Sequence, residues 1–140
     1  MHSPLALASA LLLAGCACLC DIDGAIGSRA GEGASDCGLV PLGADRSPAL
    51  DCAAAAIAAG RGFRVGWHDR GRDSEVRRYV AGHDGSFSMF GYDGDPSGGS
   101  HACPTLTETP CADAPVRTTD ASGMPVISCT ATTVRTVCSD

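Results

Sequence analysis

Nine cysteines in a chain of 140 residues restrict the fold more than any other feature. They matter because the rest of the chain offers little to pack: of the 62 hydrophobic residues, 22 are Ala and 9 are Cys, which leaves 31 large apolar side chains. A core that thin needs covalent staples, and small exported domains use disulfides for that purpose. The length and composition exclude a large enzyme, a multidomain protein and a polytopic membrane protein. One small, loop-rich domain remains.

The formal net charge is −6, with 10 Arg and no Lys, Asn or Gln. An acidic chain of this kind is not built for nucleic acid, which selects basic surfaces. Positive charge gathers only in residues 61–80, where six Arg stand against Asp69, Asp73 and Glu75. Arg64, Arg72 and Arg77 are therefore the candidate partner-binding residues, suited to an acidic protein or a glycan.

Near the N-terminus, residues 5–13 (LALASALLL) form an apolar run of signal-peptide length, too short to span a bilayer as a helix. Leu13-Ala14-Gly15-Cys16 follows. This segment resembles the lipobox of bacterial lipoproteins, and the likeness covers residues 1–16. It departs from the family pattern in its first four residues, which carry no Lys or Arg. The resemblance implies removal of residues 1–15, a lipid (palmitate and similar acyl chains) on the Cys16 sulfur, and a membrane-anchored, extracytoplasmic head. Ala17 is not the Asp that favours inner-membrane retention, so the outer membrane is the expected destination where there are two membranes. Residues 16–36, with four Gly and no clear period, read as the lipidated Cys and a flexible tether spanning roughly 25 Å. Asp21-Ile22-Asp23-Gly24 lacks the further carboxylates of an EF-hand loop and belongs to that tether.

Residues 37–140 read as the folded head. Ser47-Pro48 before an Ala-rich run and Gly60 after it predict a helix over 48–59, with Ser as the cap, Pro in the first turn and Gly in the left-handed closing position. Leu50, Ala54 and Ile57 fall on one stripe and are expected to face a sheet. The period then changes to two: Phe63, Val65 and Trp67 alternate with polar residues, Glu75–Ala81 forms a second strand and Ser86–Tyr92 a third. Weaker strands at 100–110 and 126–137 complete the pattern, the first demoted to an edge by Pro104 and Pro110. The expected class is α+β: one helix packed on an antiparallel meander of about four or five strands. In shape alone it resembles the cystatin-like helix-on-sheet folds.

With Cys16 lipidated, eight cysteines remain, an even count that predicts a disulfide framework. Cys52 on the helix can reach Cys37. If the last two strands form a hairpin, Cys111 opposes Cys129 and Cys103 opposes Cys138, since the two position sums differ by one, the offset a single bulge supplies. Cys103–Cys111 with Cys129–Cys138 is the rival arrangement, and Cys18 and Cys20 stay unassigned. No C-x-x-C pair suggests zinc.

No cofactor motif is present, and no cofactor is expected. His68, Asp69, Asp93, Asp95 and His101 converge in the proposed topology and are the candidates for a divalent-metal site or a general-base cluster. Two function classes follow. The favoured one is a non-catalytic envelope module that binds a protein or glycan; the alternative is a small metal-dependent enzyme at the His68–His101 end.

Overall fold

The computed structural model describes residues 20–72, 74–96, 98 and 103–138. Their order is α1 (Ile22–Ala30), β1 (Ser35–Val40), α2 (Ser47–Ala58), β2 (Phe63–Arg70), β3 (Glu75–His83), β4 (Ser86–Asp93), β5 (Thr105–Pro110), β6 (Val116–Thr119), β7 (Pro125–Ser128) and β8 (Arg135–Cys138). Six strands make one sheet in the order β1-β2-β3-β4-β5-β8, and β6-β7 is a separate hairpin. The class is α+β, as the change of period from helix to strand predicts. The sheet is antiparallel except that β1 runs parallel to β2, with α2 as the crossover between them.

The expected tether is overturned from residue 20 onward. Asp21 caps α1 by accepting the Gly24 N–H at 2.8 Å. Ile22, Ile26 and Ala30 share a helical stripe, and Ile26 and Ala30 are buried against Ala81, Phe90 and Leu106 of the sheet. Intrinsic propensity is poor here, with Gly24 and Gly27 inside the helix, but burial of that stripe outweighs it.

Strand β2 and its partners β3, β4 and β5 alternate between two layers. Phe63, Val65 and Trp67 join Val80 in a core that receives Leu50, Ala53 and Ala56 of α2 together with Val126 and Ile127 of β7. The opposite sheet face carries α1. The buried face of α2 is Ala49, Leu50, Ala53 and Ala56, whereas Ala54 is exposed, so the expected stripe is rotated by about one position. Packing explains the shift, since α2 rests on the β6-β7 hairpin as well as on the sheet. Its N-terminus also differs from expectation: Ser47 is already helical, and Asp45 accepts the Ser47 N–H at 2.9 Å. Gly60 does take a left-handed conformation after the helix (φ 63°). The β3-β4 turn places Asp84 and Gly85 at φ 50° and 75°, the two positive values a two-residue type I′ hairpin requires.

The chain end is rearranged relative to the expected final hairpin. Residues 116–128 form β6-β7 on the α2 side, and only β8 returns to pair with β5. Consequently β5 is internal and β8 is the edge. Pro104 and Pro110 precede and end β5, so neither removes a hydrogen bond from its middle.

The disulfides follow this topology. Cys37 is joined to Cys52, tying β1 to α2, and Cys111 to Cys129, tying the end of β5 to the end of β7. The expected Cys103–Cys138 bridge is corrected: Cys138 is joined to Cys20, ahead of α1. Cys138 lies opposite Leu106 of β5, whereas Cys103 precedes that strand, and Cys138 is already committed to Cys20. Cys103 is disulfide-bonded as well. Cys16 and Cys18 lie outside the described residues, as does the rest of the expected signal peptide. Among the described residues, no helix is long and apolar enough to cross a membrane.

Candidate functional site

The sheet register sorts the candidate side chains by face. Arg64, Gly66 and His68 of β2 stand opposite Ala81, Tyr79 and Arg77 of β3. These belong to the α1 side, and next to the start of α1 they border a cleft of about 250 Å³. Asp23, Asp36, Leu39, Arg64, Arg77 and Tyr79 define it. Gly66 also lines it, and a side chain there would collide with the Tyr79 ring, whose Cδ1 would be 2.5 Å from an added Cβ.

Both cleft arginines already have carboxylate partners. Arg64 donates to Asp36 at 2.6 Å and approaches Asp23 at 3.8 Å. Donation from Arg64 holds the Asp36 carboxyl below its ordinary value, and the same bond raises the guanidinium. Arg77 donates to Glu75 at 2.8 Å and to the Tyr79 hydroxyl at 3.4 Å, and its guanidinium carbon lies 5.1 Å from the Tyr92 ring centre. Glu75 is held low by that Arg77 bond. The cleft thus presents fixed pairs of donors and acceptors around one phenol, not bare positive charge. Arg72 is exposed and stands apart, near Ser74, Asp93 and Asp95, so two of the three expected arginines meet and the third does not.

The expected metal cluster is dispersed among the described residues. His68 faces the α1 side, with Nδ1 3.3 Å from Glu75, whereas its neighbour Asp69 projects to the opposite face and pairs with Arg46 at 3.2 Å and Arg78 at 3.7 Å. Asp93 accepts from the Ser74 hydroxyl at 2.7 Å and from the Asp95 N–H at 3.0 Å, which makes it a cap for its own loop. No group of three His, Cys, Asp or Glu among the described residues is gathered to hold a metal ion. His101 lies outside them.

Sequence reasoning missed Asp23, Asp36 and Tyr79, which border the cleft, and Glu108, which anchors the helix above it. Only Glu108 left a signal: period two in β5 puts it on the side of Leu106, where a charge has to be compensated. Comparison with family models, curated proteins and solved structures finds no match.

Proposed function

We propose that this protein is a lipid-anchored, extracytoplasmic module of the bacterial cell envelope that binds a partner without transforming it, using the cleft between α1, β1, β2 and β3. The anchor rests on the Leu13-Ala14-Gly15-Cys16 motif, and the disulfides fit an oxidising compartment. The binding role rests on one observation: the cleft is bordered by a pre-formed Arg64–Asp36 pair and by Arg77, itself held by Glu75, beside Tyr79. A hydroxyl both donates and accepts, so adjacent hydroxyls of a glycan can satisfy such pairs without breaking them. An acidic protein would instead have to displace Asp36 and Glu75. The glycan reading is therefore preferred.

Two experiments test the proposal. Metabolic labelling with a fatty acid should mark the wild type and not Cys16→Ser; equal labelling of both, or none in either, overturns the anchor. Retention of the full chain on isolated envelope glycan should be lost in Arg64→Glu and Arg77→Glu but kept in Arg72→Glu, which lies outside the cleft. Equal retention by all three variants overturns the binding site.

A further inference from the structure

On the opposite face of the sheet, beside α2 and the β6-β7 hairpin, a second cavity of about 270 Å³ is set into the strands themselves. Its floor includes a single row across four strands, since Trp67, Arg78, Gly91 and Thr107 are aligned partners in β2, β3, β4 and β5. Met89 and Val134 supply apolar wall, and Val134 is 58% exposed just before β8. Among the described residues, no carboxylate lines the cavity. Trp67 and Arg78 set its character.

Trp67 is 5% exposed, and its Nε1 is the one buried side-chain polar atom among the described residues without a hydrogen-bond partner. That atom has almost no accessible surface, so the indole serves the cavity as packed wall and not as a donor to an occupant. Meanwhile Arg78 lies across Gly91: a Cβ at position 91 would come within 2.7 Å of the Arg78 Nη1, so the missing side chain is what lets the guanidinium rest over the row. Asp69 holds Arg78 only from 3.7 Å, and the Arg78 side chain is 53% exposed, which leaves most of its donors to an incoming anion.

We infer that this cavity binds a small carboxylic acid with an apolar body, the carboxylate taken by Arg78 and the body laid on Trp67, Met89 and Val134. Its volume falls just below that of drug-sized ligand sites and suits a short chain or a single ring. The site lies on the other side of the sheet from the Arg64–Arg77 cleft and does not depend on the reading given to that cleft.

Trp67 is the chain's only tryptophan and lines this cavity, so in the folded protein its emission can report occupancy. The test titrates the full chain with octanoate and with 1-octanol, which has the same chain without the charge. Octanoate should change the Trp67 emission saturably, with 1-octanol at least about tenfold weaker, a factor worth about 1.4 kcal/mol. Arg78→Gln, at an exposed position that does not endanger folding, should weaken octanoate by about the same factor. Gly91→Ala should also weaken it, because the new methyl displaces the guanidinium. The inference is overturned by an absent or unsaturable response, by equal affinity for octanoate and octanol, or by unchanged affinity in either variant.

Discussion

Glu108 is only 3% exposed, yet it is held as a carboxylate by three donors: Arg29 of α1 at 2.6 Å, Arg135 of β8, and the Ser88 hydroxyl at 2.7 Å. Burial would raise its pKa, but donation from Ser88, Arg135 and Arg29 outweighs that and keeps the carboxyl below its ordinary value of 4.5. Glu108→Gln leaves two arginines facing a neutral amide and should cost about 3 kcal/mol in denaturant unfolding, the scale seen when one partner of a buried ion pair is removed. The sign of the pH dependence follows from the depressed value. The stabilisation is complete above the unfolded carboxyl's ordinary value and is lost as pH falls through the lower folded one. Wild type should therefore lose stability below about pH 4.5, and Glu108→Gln should lose less over the same interval, read by Trp67 emission in urea at each pH. An unchanged pH profile in the variant would mean that Glu108 is not the group responsible.

At the scale of elements, legibility tracked how far local pattern decides the outcome. Strands β2, β3 and β4 were readable because Phe63, Val65 and Trp67 alternate in a period that only a half-buried strand satisfies. Helix α2 was readable from Pro48 and Gly60, although its buried stripe was not, because the β6-β7 hairpin that shares it comes from a distant part of the chain. Helix α1 was illegible: its glycines argue for loop, and what overrides them is burial under Phe90 and Leu106 and the Cys20–Cys138 bridge, both non-local. The site failed to show for the same reason, since Asp23, Asp36 and Tyr79 meet only after α1 and β1 have docked. Replacing Cys20 and Cys138 together by Ser should therefore loosen α1 selectively. Amide exchange should accelerate in α1 and β8 and stay slow in β2, β3 and β4, with a global cost of about 2–4 kcal/mol. Uniform acceleration across the sheet would show that the bridge supports the whole fold and not one helix.

For the whole molecule, cysteine accounting links the fold to the anchor. Of the nine cysteines, three bridges use six, and Cys103 is bonded as well, leaving Cys16 and Cys18. A lipid on Cys16 leaves only Cys18 for Cys103. Non-reducing peptide mapping of the mature protein should join Cys103 to Cys18, and a Cys103–Cys16 link would eliminate the lipid anchor at a stroke.

Because Cys20 is clamped to the edge of the sheet, at most four residues separate the fold from the proposed lipid. Whatever path those residues take, they reach at most about 14 Å, and Asp23 at the rim of the cleft cannot lie more than about 25 Å from Cys16. With the proposed lipid in place, the head would be moored against the bilayer and not floated above it. A long polymer reaching down from the far side of the envelope would have to run along the membrane surface to enter the cleft. Ligands that already lie at the lipid headgroups would meet it directly.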